Sequence, residues 1–104
     1  MDYLPLHFNL RGALVLLVGG GEIARRKAVL LSEAGAVLRC IAPRLEFDLN
    51  DLSADHEWQQ KVFDDNDLEG ACLVVAATDD AMVNAQVSRT AQARQLPVNV
   101  VDQP

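Results

Sequence analysis

The residues Gly19-Gly20-Gly21-Glu22-Ile23-Ala24 fit the spacing G-x-G-x-x-A. What such a run can do is hold a phosphate. A glycine in the first place lets the chain turn sharply out of a strand, and one in the third lets a pyrophosphate approach the backbone. Ala24 then keeps the following helix close to the sheet. That helix presents free N–H groups and a partial positive charge at its N-terminus. The pattern by itself is weak, and its weight comes from a strand before it and a helix after it.

Both flanks are present. Ala13 to Val18 is a short, continuous apolar run that stops at the glycines, as a strand buried on both faces does. From Glu22 onward Ala24, Ala28, Leu31 and Gly35 share one helical face, with Arg25, Arg26 and Glu33 opposite. Gly35 ends this helix.

Further along, Val37 to Ala42 reads as a second strand, and Leu45 to Ala54 as a weak helix. Trp58 to Phe63 reads as a polar third strand toward a sheet edge, and Asp64 to Asp67 as a loop or short turn. Cys72 to Ala77 is a second buried apolar strand. Thr78-Asp79-Asp80 supplies cap residues for a helix carrying Val83, Val87, Ala91 and Arg94, which Pro97 stops before a last strand, Val98 to Val101. Apolar strands alternating with helices predict an α/β fold of Rossmann type, a doubly wound parallel sheet in one domain over residues 1–104. Right-handed crossovers give the strand order 3-2-1-4-5.

In such a sheet, ligands gather at the carboxyl ends of the strands where the order reverses. Four groups therefore share one rim: Gly19 to Gly21, Ala42-Pro43-Arg44, Thr78-Asp79 and Asp102. The second group departs from the usual pattern, which places an acid there to hold ribose hydroxyls. Arg44 could read a 2′-phosphate or be a solvated loop residue, so the residues leave NAD and NADP both open. The small residues before Thr78 let a ribose or nicotinamide lie on the backbone, while Thr78 or Asp79 could equally cap the helix. Asp102 is a strand-end carboxylate, either a loop or cap residue or a functional group.

Composition narrows the field. The chain has 104 residues and a net charge of −6, from 15 acids against 9 bases, which argues against nucleic acid as the main partner. It has no apolar run near the length of a membrane span and no basic n-region or signal core at Met1 to Pro5, the pattern of a cytoplasmic protein. Cys40 and Cys72 fall on strands that the predicted order sets two apart, roughly 9–10 Å, beyond disulfide reach. With no histidines at ligand spacing they make no metal site. His7 and His56 stand alone.

Larger motifs carry a resemblance. Tyr3-Leu4-Pro5-Leu6, Val18 to Lys27, Ala76 to Asp80, Asn84 and Asn99-Val100-Val101-Asp102 occur in an order and spacing that resembles the N-terminal domain of siroheme synthase. That domain is the precorrin-2 dehydrogenase and sirohydrochlorin ferrochelatase part, and the resemblance runs over essentially the whole chain. It implies NAD as cofactor, oxidation of precorrin-2 to sirohydrochlorin, and insertion of ferrous iron to give siroheme. It also implies a cofactor held at Glu22-Ile23 and Pro43-Arg44 largely through backbone, with Asp102 as proton acceptor in both reactions.

Members of that family continue past the equivalent of Pro104 with a dimerisation region and much of the tetrapyrrole pocket. The expectation is thus an excised domain of a longer, homodimeric parent, inactive on its own. The rival expectation is a regulatory nucleotide-binding module that shares the glycine loop without catalysis, although such modules usually keep the acid missing after the second strand.

Overall fold

A computed structural model describes residues 9–52 and 55–101. Five strands form one parallel sheet: β1 (Leu14–Val18), β2 (Val37–Ala42), β3 (Glu57–Gln60), β4 (Leu73–Ala76) and β5 (Val98–Val100), in the order β3-β2-β1-β4-β5. This is the predicted order. β1 is central, with Leu17 opposite Cys40 on β2 and opposite Val75 on β4.

The uninterrupted apolar runs are explained by the two helices. Alternate residues point to opposite faces of a strand. Val15 and Leu17 join Leu38, Cys40 and Val75 in a core against Ala24 and Ala28 of α1 (Glu22–Glu33). Leu16 and Val18 join Ile41, Val74 and Ala76 in a second core against Val87 and Ala91 of α2 (Ala81–Ala93). Neither helix is long and apolar enough to cross a membrane.

Both helices end in the same backbone device. After α1, Gly35 (φ 90°) donates to the Ser32 carbonyl and Ala36 to the Leu31 carbonyl. After α2, Gln95 (φ 58°) donates to Gln92 and Leu96 to Ala91. This left-handed turn ends α2 well before Pro97, the residue expected to stop it. Asp80 caps its start, accepting from the Met82 and Val83 N–H groups, so the cap falls to neither Thr78 nor Asp79.

Three expectations need correction. The stretch from Leu45 holds only a single 3₁₀ turn, Leu49–Asp51, and no helix; Ser53 and Ala54 lie outside the described residues. Asp48 turns back to accept from the Asn50 N–H, while Phe47, Leu49 and Leu52 lie against the α1-side core. Cys72 is exposed and precedes β4, so it is no core residue. Cys40 is buried, and burial pushes its thiol up to about 12, which leaves it protonated near neutral pH. β3 is shorter than expected and does lie at the edge: Lys61 still donates to the Ala42 carbonyl, and Phe63 then turns into the α2-side core.

Candidate functional site

The carboxyl ends of β1, β2 and β4 open into a cleft of about 630 Å³. That is within the usual range for a small-molecule site. Gly19, Gly20, Gly21, Glu22, Ile23, Pro43, Arg44 and Thr78 all line it, so every cofactor-binding candidate from the sequence lies on one surface. Asp102 lies outside the described residues. Val101 before it donates to the Ala76 carbonyl at 2.9 Å.

The three glycines have three different reasons. Gly19 has φ 135°, and a Cβ there would lie 2.3 Å from the Ala77 carbonyl oxygen. This is the sharp exit from β1, closed by Gly19 N–H to the Ile41 carbonyl at 3.0 Å. A Cβ on Gly20 would lie 1.8 Å from the Arg44 carbonyl oxygen, so Gly20 makes room for the loop after β2. A Cβ on Gly21 would meet nothing closer than Glu46 Oε2 at 3.6 Å. The protein itself therefore does not require glycine at position 21, which leaves the space to whatever enters the cleft.

Gly21 is also the N-cap of α1 and offers no side-chain acceptor to its first-turn N–H groups. Uncapped donors beside an unfilled Cβ position make a cradle that fits a pyrophosphate. Nearby charge is arranged compatibly. Arg25 bridges both oxygens of Glu22 at 2.6 and 2.8 Å, and Arg26 adds a third contact at 3.6 Å. Arg25 thereby holds the Glu22 carboxyl down at about 2. The two arginines are exposed, the solvated helix face expected of them.

The opposite wall is the turn after β4. Buried Asn84 on α2 reaches back to Thr78 with three contacts. Its Oδ1 accepts from the Thr78 N–H at 3.1 Å and from the hydroxyl at 2.7 Å, and its Nδ2 donates to the Thr78 carbonyl at 3.1 Å. The Thr78 hydroxyl accepts from the Asp80 N–H. Asn84 is thus a positioning residue that fixes this wall of the cleft. The sequence marked it only through the resemblance, because a buried amide on a helix looks like any surface asparagine.

Glu46, Lys61, Val62 and Phe63 also line the cleft and were not foreseen. Lys61 is held by Asp64 at 2.8 Å and by the buried Asp67 at 2.6 Å. Their hydrogen bonds raise its proton affinity above that of an ordinary lysine.

A family model described as "Putative NAD(P)-binding" matches residues 6–104. Over its whole length the chain is 53% identical to the siroheme synthase of Pseudomonas fluorescens (strain SBW25), 55% to that of Pseudomonas entomophila (strain L48) and 53% to that of Azotobacter vinelandii. It spans 23% of the length of these relatives. Among solved structures, SirC, a precorrin-2 dehydrogenase, matches 98% of this chain with 51% of its own, at a TM-score of 0.81 and 30% identity.

Proposed function

The chain belongs to the NAD(P)-binding family whose model covers residues 6–104, and we propose that it is the cofactor-binding part of a longer siroheme synthase that oxidises precorrin-2 to sirohydrochlorin with NAD. The observation that carries this reading is Gly21, whose missing Cβ the protein does not need, at the uncapped start of α1 in a cleft. The 51–55% identity to siroheme synthases supplies the substrate class.

The chain's own residues bind and orient. The first-turn N–H groups of α1 receive the pyrophosphate, with Gly19 and Gly20 shaping the turn. Pro43, Arg44, Glu22 and Ile23 border the cofactor, and the turn at Thr78, fixed by Asn84, supports it from the β4 side. When bound there, NAD would supply the hydride acceptor for oxidation of the tetrapyrrole. The accompanying proton goes to the Asp102 carboxylate, which follows Val101 in the sequence. In the longer protein the same carboxylate takes protons from the pyrrole nitrogens as ferrous iron, a substrate, is inserted. The parent acts as a homodimer.

Calorimetric titration of this domain with NAD tests the cofactor assignment, and absence of binding would sink it. In the longer protein, Asp102→Asn is expected to keep NAD affinity and to lose about 10²–10⁴-fold in precorrin-2 oxidation, the usual worth of a general base. Absorbance follows sirohydrochlorin formation, and siroheme formation from supplied sirohydrochlorin and ferrous iron is read separately. Near-normal rates would remove Asp102 from the mechanism. A domain that binds NAD within a parent that oxidises nothing would be a regulatory module.

A further inference from the structure

β2 ends at Ala42 and is followed by Pro43-Arg44, without the acid that usually holds the ribose hydroxyls of a dinucleotide. The fold brings a carboxylate to the same neighbourhood by another route. The segment after β2 folds back over the glycine turn, where the Glu46 N–H donates to the Gly20 carbonyl at 2.7 Å. Gly20 permits this approach, since any Cβ there would collide with the Arg44 carbonyl. Held in this way, Glu46 places Oε2 3.6 Å from the point a Cβ would occupy on Gly21, at the margin of the phosphate cradle.

The other acids of the cleft are differently engaged. Glu22 is bridged by Arg25, and Asp80 caps α2. Asp79 belongs to the β4 turn, across the cleft from the end of β2.

We propose that Glu46 is the ribose acceptor of this site and the residue that selects NAD over NADP. The inference rests on the cofactor assignment above and extends it. An ionised carboxylate only accepts hydrogen bonds, so it suits a diol that offers two donors. A 2′-phosphate would replace one donor with charge of about −1.5 to −2 and set it against the carboxylate. Arg44, in the same loop, would attract that phosphate if the carboxylate were neutralised.

The test uses this domain and titrates NAD and NADP calorimetrically into the natural protein, Glu46→Gln and Glu46→Gln/Arg44→Ala. Glutamine keeps the size and the backbone N–H, and thermal melting checks that both variants fold. The natural domain is expected to prefer NAD by about tenfold or more, the worth of charge-assisted hydrogen bonds. Glu46→Gln is expected to weaken NAD and strengthen NADP until the two are within about threefold. Adding Arg44→Ala should remove the gain for NADP. A natural domain that binds neither cofactor overturns the cofactor assignment itself. A natural domain that binds NAD with a preference unchanged by Glu46→Gln overturns only the role of Glu46. An equal loss for both cofactors would mean that Glu46 acts on the shared pyrophosphate, which also overturns it.

Discussion

Replacing Gly20 or Gly21 by alanine adds the same methyl group to neighbouring residues, yet the two changes should fail in different ways. At Gly21 the new Cβ has its nearest protein atom at 3.6 Å, and φ is an ordinary −95°. Alanine is a poorer N-cap than glycine, but it also loses less backbone entropy on folding. The two effects nearly cancel, to within about 1 kcal/mol, so the melting temperature should move by no more than roughly 4–8 °C. The ligand does not escape so lightly, because the methyl stands where the pyrophosphate of the proposed site would approach the first turn of α1. Losing charge-assisted bonds worth about 1.5–3 kcal/mol lowers NAD affinity roughly 10- to 150-fold.

At Gly20 the Cβ would lie 1.8 Å from the Arg44 carbonyl oxygen and 3.0 Å from the Ala42 Cβ. The loop must retreat, giving up the Glu46 N–H bond to Gly20. Overpacking of about 1–3 kcal/mol plus a lost bond near 1 kcal/mol lowers the melting temperature by roughly 8–32 °C. Thermal melts and calorimetric NAD titration of both variants decide the matter. If Gly21→Ala binds NAD as the natural protein does, no phosphate lies against Gly21. If Gly20→Ala melts normally, the loop is not held by the glycine turn.

Two further outcomes concern stability alone. Gln95 occupies a left-handed conformation that costs an L-residue about 1–2 kcal/mol, so Gln95→Gly should stabilise the domain by roughly 0.5–1 kcal/mol after glycine's own entropy cost. An unchanged or lower melting temperature would count against this. His56 accepts the Leu38 N–H at Nδ1 (3.0 Å) and faces Ser32 Oγ through Nε2 (3.3 Å), and burial lowers its proton affinity below the ordinary 6.5. The folded state thus binds this proton more weakly than the unfolded chain. The contribution is complete above pH 6.5 and falls as the pH drops below it toward the depressed folded value. Urea midpoints of the natural protein should decline over that interval and those of His56→Gln should not; an equal decline in both would assign it elsewhere.

Much of the architecture could be read along the chain because its causes are local. Apolar runs without alternation, such as Leu14–Val18, report burial on both faces, and the two helices supply those faces. The misreadings arise where distant contacts decide. The stretch from Leu45 to Ala54 reads as a weak helix, and its apolar residues Phe47, Leu49 and Leu52 have a different use. They meet the α1-side core from a largely irregular path instead, and Asp48 spends its carboxylate on a local turn. Cys72 looks continuous with β4, but β1 begins at Leu14, whose carbonyl takes the Cys72 N–H. The flanking side chain is left beyond the covered part of the sheet. The end of α2 carries no glycine signal, since hydrogen bonds at its last turn hold Gln95 in a conformation its type disfavours.

The glycine run holds the same lesson at finer scale. In the sequence Gly19, Gly20 and Gly21 differ only in order, and a motif assigns the turn to the first and the ligand to the third. The structure gives each its own cause: the Ala77 carbonyl beside Gly19, the Arg44 carbonyl beside Gly20, and no close protein atom beside Gly21. The cause at Gly20 comes from a residue far along the chain, so no local pattern could contain it. It also bears on the acid that counting along the chain found missing after β2. Position in the sequence locates such an acid only if the loop leaves the strand directly. Here the loop turns back onto Gly20, and the carboxylate beside the cradle belongs to Glu46, past the Pro43-Arg44 corner. Gly20 therefore links two properties that the motif treats separately, the shape of the phosphate turn and the placement of the carboxylate proposed to read the ribose. A substitution there should disturb both at once.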